Sequence, residues 1–419
     1  MNLLVLFGGL EIGLRVFPSA IPEGLLKRFE AGLRANIAQR RSLPNVSDVN
    51  QLDRDDGGPP LLVFKPDTIV QFVSRETGKR GSIHMDNRGF CNPPGAIEDG
   101  GSADVVALGD SFTACMNEPP DSTAPESYVN WPFELGRISG LTVYNLSRGG
   151  DGPYEYVQLL KHRGLQFRPK IVVMQMYEGN DLRDSMRYRS YKNASPEDKV
   201  NVPLRASWEP LNVSYDWLLA NPLASISYAY DFAVVGGAYV LSQVIDLARS
   251  GTGSTDLIDF KFSLDYPPSP ILMNPDNDQK DEVRTARSAK DGTMRFQEFD
   301  EALEEYASLA VNNNFKAVLS YAPAAHVAYD KSVSFLAPEL KEVMTWYSNE
   351  QRAYLAKKCA ELDILFVDLT PALQLRIDEL GGSRLLYNPS NIHFNILGHQ
   401  VVAQELQRAL TEEGLLPSN

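Results

Sequence analysis

DVVALGDSFT, residues 104–113, holds a short apolar run, Val105–Leu108, that stops at Gly109-Asp110-Ser111. A run this brief and this uniformly apolar suits a strand buried on both faces of a parallel sheet, and the glycine marks the exit turn. Ser111 then falls at the carboxyl edge of the sheet, the edge where open α/β sheets hold ligands. Taken alone, the triplet also reads as a helix N-cap, because serine satisfies orphan N–H groups there.

The stretches downstream repeat the pattern. Thr142–Asn145 (TVYN) is a second strand running into LSRGGDG, and Lys170–Tyr177 (KIVVMQMY) is a third running into EGND. Lys316–Tyr321 and Ile364–Asp368 supply a fourth and a fifth. Helical patterns at Trp131–Ile138, Tyr154–Leu165, Phe299–Val311 and Leu340–Leu362 lie between them. Such alternation predicts a three-layer α/β/α sandwich around a parallel sheet of about five strands. Three strand ends thus carry Ser111, Gly150 and Asn180 in order, and His393 follows in a late loop before a closing amphipathic helix.

This ordered set resembles the SGNH or GDSL-type hydrolase superfamily, whose sheet is flavodoxin-like. GDSFT with the following Trp131-Pro132, YNLSRGGDGP (144–153), EGND (178–181) and HFNILGH (393–399) is similar to its bacterial membrane-anchored branch, related to polysaccharide O-acetyl esterases and acetyltransferases. The likeness runs from about Asp104 to Leu410. It implies a serine esterase or acyltransferase acting on O-acyl groups, plausibly acetyl on carbohydrate, and needing no cofactor. Ser111 would be the nucleophile and His393 the base. The Ser111 N–H, the Gly150 N–H and the Asn180 side chain would be the oxyanion donors. The chemistry asks for these types: a base to take the hydroxyl proton, and donors where charge develops. Glycine at 150 lets a backbone N–H approach substrate without a Cβ in the way. Asn180 capping the loop after its strand, and Gly150 serving only a turn, are the plainer alternatives.

The sequence departs from the superfamily just before the histidine. An aspartate normally stands two or three positions earlier, where it fixes the imidazole tautomer; here those positions are Asn391 and Ser390. In a well-studied serine-protease triad, Asp to Asn at the orienting position lowers turnover by ~10⁴. Three substitutes are open. A backbone carbonyl could orient the ring, or a carboxylate from another loop such as Asp151 or Asp181, with Asp110 beside the serine as a further supporting group. The third is an impaired SGNH-fold subunit with a structural or interaction role in a membrane-associated assembly.

Composition bounds the remainder. With 43% hydrophobic and 22% charged residues, the chain is of ordinary globular type, and a net charge of −14 argues against nucleic acid. Cys91, Cys115 and Cys359 are too few for a disulfide framework, although one pair could form. No histidine pair has metal spacing, and Asn274-Pro275-Asp276-Asn277-Asp278 lacks the glycine and terminal glutamate of a calcium loop, so no metal is expected. That loop reads as solvated, and the polar stretch to Lys290 as part of an insertion that covers or shapes the pocket. His326 is placed to line the pocket, His399 reads as a packing residue of the closing helix, and His84 and His162 as surface or satisfied groups.

The expected organisation is an anchor and amphipathic helix over 1–41, a linker and small β-rich lead-in over 42–102, and the α/β/α domain over 103–419 with an insertion at about 182–295. Leu3–Phe17 is apolar but shorter than the ~20 residues of a spanning helix, and it contains Glu11 and Arg15. It reads as a membrane anchor or docked helix, or equally as a buried or interfacial one. The basic residues Lys27, Arg28, Arg34, Arg40 and Arg41 favour a cytoplasmic body, whereas the family resemblance implies an extracytoplasmic one and an O-acylated small molecule or polysaccharide as substrate; a protein complex is a further expected partner. The proline-containing loop Asn117–Glu126 and the insertion are expected to wall the pocket.

Overall fold

Five parallel strands carry the fold of this computed structural model, which describes residues 2–17, 49–52, 61–64, 66, 67, 69–73, 80–98, 100–115, 128–186, 226–230, 232, 233, 237, 260–273 and 281–416. Val105–Leu108 (β1), Val143–Asn145 (β2), Ile171–Tyr177 (β3), Lys316–Ala322 (β4) and Leu365–Asp368 (β5) stand in the order β2-β1-β3-β4-β5. Every residue of β1 and β3 is buried, which is why both read as unbroken apolar runs. Val105 pairs with Val143 on one side and Ile171 on the other. Strand order reverses between β1 and β3, so a crevice opens at their carboxyl ends. Ser111 and Asn180 follow those two strands.

Helices fill the connections: Trp131–Ser139 (α1), Pro153–Leu159 (α2), Asp300–Asn313 (α3), Leu340–Glu361 (α4), Thr370–Leu380 (α5) and Ile396–Glu412 (α6). α6 packs on α1 and α5, while α3 packs on α2. Asn130 starts α1 by accepting the Phe133 N–H at 2.8 Å through its side chain. Trp131 is fully buried and donates its indole N–H to Gln175 of β3 at 3.1 Å, which fixes α1 to the sheet. Tyr306 does the same for α3, donating to the Val172 carbonyl at 2.7 Å. A buried polar tip needs such a partner, and each partner here also fixes helix register.

The segment 80–98 is bonded to edge strand β2. Asp86 accepts the Tyr144 hydroxyl at 2.6 Å, and Asn92 exchanges two hydrogen bonds with the Asn145 backbone, at 2.8 and 3.0 Å. Cys91 and Cys115 form a disulfide across this junction, with Cα atoms 5.9 Å apart, settling the pairing that the sequence leaves open. Cys359 is a buried free thiol.

One expectation is corrected and two elements are added. α2 stops at Leu159 and continues as a wider turn over Leu160–Gly164 and a tighter one over Leu165–Phe167. Asp281–Lys290, in the polar part of the insertion, is a helix: Glu282, Val283, Thr285 and Ala286 make a buried face that packs on α4. Phe262–Leu264, Ile271–Met273 and Val333–Phe335 form a small antiparallel sheet for which the sequence showed no sign. The amphipathic stretch 21–41, the linker 42–48 and 53–60, the loop 117–126, most of the insertion and the acidic loop 274–278 lie outside the described residues.

The chain divides into two units. The first comprises Met1–Asn50, Val70–Phe72 and Pro203–Thr255, and the second comprises Gln51–Ile69, Val73–Val202 and Asp256–Asn419, which includes the sheet. Within the first unit, Asn2–Val16 is helical. The Glu11 carboxylate accepts the Ser227 hydroxyl and the Ala229 N–H, each at 2.8 Å, and the Arg15 guanidinium lies 4.9 Å from the Tyr228 ring centre. The two charges that would be costly in lipid thus find partners in the chain itself. No helix among the described residues is long and apolar enough to cross a membrane.

Candidate active site

Ser111 leaves β1 in a turn that Asp110 stabilises by accepting the Phe112 N–H at 2.8 Å. His393 arrives from a loop closed by the Tyr387–Phe394 bridge and by the Asn388 N–H on the His393 carbonyl at 2.8 Å. The two meet: Ser111 Oγ lies 2.8 Å from His393 Nε2, although 282 residues separate them. The other ring nitrogen, Nδ1, is 3.0 Å from the main-chain carbonyl of Asn391. A carbonyl can only accept, so Nδ1 must carry the proton and Nε2 is left as the acceptor for the serine hydroxyl. That is the tautomer a general base requires.

The Asn391 turn makes this contact possible. Its side-chain oxygen accepts the His393 N–H at 3.1 Å, an Asx-type turn, and Ile392 between them is fully buried with φ of 48°. A β-branched residue in left-handed backbone costs about 1–3 kcal/mol and persists only where its surroundings hold it. Here it turns the preceding carbonyl back onto the imidazole. Of the three substitutes for the missing aspartate, the structure therefore places a backbone carbonyl at Nδ1. The side chain of Asn391 serves the backbone, and Ser390 lies one residue further back in the same turn.

Both loop carboxylates have partners of their own. Asp151 is paired with Arg148, both buried. Asp181 accepts the Tyr156 hydroxyl at 2.8 Å and the Tyr177 N–H at 2.7 Å. Burial pushes the Asp110 carboxyl up to about 7, with the nearby Asp184 charge adding to the rise. Asp181 is also raised, by burial and then by the charges of Asp110 and Asp184. This buried cluster favours holding a proton near neutrality.

The expected oxyanion donors flank the serine. Gly150 has φ of +84°, a left-handed conformation that favours glycine, and the adjoining Gly149 lies against Ser111, a Cβ there falling 3.6 Å from the Ser111 Cβ. Asn180 begins the turn of helix after β3, and its amide donates to Asp184 Oδ2 at 2.8 Å and also serves Asp110. Its side chain is engaged with carboxylates, and not with a helix cap.

Three residues absent from the sequence reading shape the site. Phe112 stacks on the His393 ring at 4.7 Å between centres, and Tyr177 stacks beneath Phe112 at 3.7 Å. The Tyr177 hydroxyl donates to buried Glu282 at 2.6 Å. This column holds the imidazole face, and its only sequence signal was the aromatic next to the serine. His326 does not line the crevice. It is buried among Phe260, Phe262 and Phe335 with Glu178 at 3.9 Å; burial lowers the imidazole to about 3 and raises Glu178 to about 7. His399 is buried against Phe394, as a packing residue. Among the described residues, no group of three or more His, Cys, Asp or Glu could hold a metal ion.

No family model and no curated protein matches this chain. Among solved structures it is similar to an alpha/beta hydrolase from the metagenome of Lake Arreo, Spain, at 12% identity and TM-score 0.36, covering 76% of this chain and 98% of that one. An acetyl xylan esterase aligns at 13% identity and TM-score 0.33, covering 73% and 99%. A catalytic mutant of an acetylxylan esterase from Geobacillus stearothermophilus aligns at 12% identity and TM-score 0.33, covering 74% and 95%.

Proposed function

We propose that the chain is an SGNH-type serine hydrolase or acyltransferase that cleaves an O-acyl ester through a Ser111–His393 dyad. The observation that carries this reading is the serine hydroxyl 2.8 Å from Nε2 of an imidazole whose Nδ1 is occupied by the Asn391 carbonyl. In the first step, Nε2 takes the hydroxyl proton as Oγ attacks the acyl carbon. The oxyanion forms beside the Gly149–Gly150 turn and Asn180. The imidazolium then returns the proton to the leaving alcohol, and water or a second alcohol removes the acyl group from Ser111 by the same route.

An acetyl group on carbohydrate is the substrate we favour, from the sequence likeness of the four blocks to polysaccharide O-acetyl esterases and acetyltransferases. The Cys91–Cys115 disulfide supports an oxidising, extracytoplasmic setting. For the N-terminal helix we favour attachment to a membrane surface or partner, since Ile12, Val16 and Phe17 remain 58–65% exposed on it.

A fluorophosphonate probe tests the dyad directly. It should label the wild-type chain and not a Ser111→Ala variant. The competing reading is a structural subunit with a disabled site, favoured by the engagement of Asn180 with carboxylates. Absence of Ser111 labelling, together with absence of turnover on any acyl ester, would decide for it.

The Asn391 geometry gives a second expectation. Aspartate at 391 preserves the acceptor for the His393 N–H, but Nδ1 is already taken by the carbonyl. Asn391→Asp should therefore change kcat on p-nitrophenyl acetate by less than about tenfold. A gain approaching ~10³-fold would show that the carbonyl does not orient the ring.

A further inference from the structure

Asp184 stands where the two oxyanion-side elements meet, and packing alone gives no reason for a carboxylate there. It is 3% exposed, in the helical turn that follows Asn180. Burying a carboxylate costs several kcal/mol unless it is paired and hydrogen-bonded. The fold accommodates it from three sides. Arg183 Nε reaches Oδ1 at 3.2 Å, and the Asn180 amide donates to Oδ2 at 2.8 Å. The loop after Gly150 crosses directly over it at Gly152, where a Cβ would come within 2.6 Å of the Asp184 Cβ. An alanine at 184 would leave the helix intact and need none of this.

We propose that Asp184 is a positioning residue that holds the Asn180 amide in register with the Ser111 loop. An asparagine side chain turns freely about its last torsion, and its two ends differ chemically: the oxygen repels an oxyanion and the N–H binds it. Anchoring one N–H on Asp184 fixes the amide so that its second N–H faces the Ser111 turn. In the resting chain the Asn180 side chain also interacts with the Asp110 carboxyl. A substrate oxyanion competes with Asp110 for the Asn180 amide. The proposal rests on the dyad reading above, since the amide has a catalytic use only if Ser111 is acylated.

The test uses the full chain and p-nitrophenyl acetate. Asp184→Ala should lower kcat by about ten- to a hundredfold with KM within about threefold of wild type, less than the ~10²–10³-fold loss when an oxyanion donor is deleted. Asp184→Asn, which keeps an acceptor for the same N–H, should recover most of the loss. Groups that act as a unit are non-additive, so Asn180→Ala with Asp184→Ala should be no slower than Asn180→Ala alone. A wild-type kcat in Asp184→Ala overturns the proposal. So does a double variant slowed by the product of the two single effects, which would mark a structural role. If Ser111→Ala retains wild-type turnover, the dyad reading falls and this proposal with it. If Ser111→Ala is inactive and Asp184→Ala is unimpaired, only this proposal falls.

Discussion

Ser111→Ala is expected to reduce kcat on p-nitrophenyl acetate by at least about 10³-fold, with His393→Ala falling to a similar level. The hydroxyl is the group that bonds to carbon, and the imidazole is the base in contact with it, at 2.8 Å. Each is useless without the other, so the double variant should be no slower than either single one. Residual activity would come from the Gly150 and Asn180 donors alone. Ser111 is half-buried and its recorded side-chain hydrogen bond is to His393, so the alanine variant should fold normally. Steady-state kinetics with circular dichroism on the same samples checks both halves. Full activity in a folded Ser111→Ala chain would remove the hydrolase reading.

Removing the disulfide has the second largest expected effect. Cys91 and Cys115 lie 24 residues apart, and closing a loop of that length withdraws conformational freedom from the unfolded chain worth about 3 kcal/mol. Cys91→Ser with Cys115→Ser should therefore lower unfolding stability by about 3 kcal/mol, measured by urea titration of the oxidised proteins. Wild type treated with reductant should fall to the level of the double variant. Equal stability of oxidised and reduced wild type would show that the pair does not bridge. Cys115 is four residues beyond Ser111, so some loss of kcat should accompany the loss of stability.

The central sheet was legible because β1 and β3 are buried on both faces, and burial of that kind writes itself as an unbroken apolar run. The serine, Gly150 and His393 were legible for a related reason: each follows a strand or precedes a helix whose pattern is clear. The helix Asp281–Lys290 was not, since half of its residues are charged and its buried face includes Glu282, whose partner Tyr177 lies 105 residues away. The small antiparallel sheet failed for another reason. Its strands are three residues each, too short for alternation to register. Phe112 and Tyr177 were seen only as apolar residues, because stacking on the imidazole depends on where two strand ends come together. His326 misled, since a histidine at a strand end beside a crevice can equally well face inward.

The Asn391 carbonyl has one property that no side-chain acid shares: it does not titrate. An aspartate partner couples its own ionisation to that of the histidine and can be removed by a single substitution. A peptide dipole does neither, because every residue except at the level of backbone shape presents the same oxygen. The orienting group of this site is thus written in a dihedral angle, that of Ile392, and not in an amino-acid identity. Chains that arrange their histidine in this way would keep the serine, glycine, asparagine and histidine while needing, two residues before the histidine, only a side chain that accepts its N–H. A search keyed to an acid at those positions would pass over them.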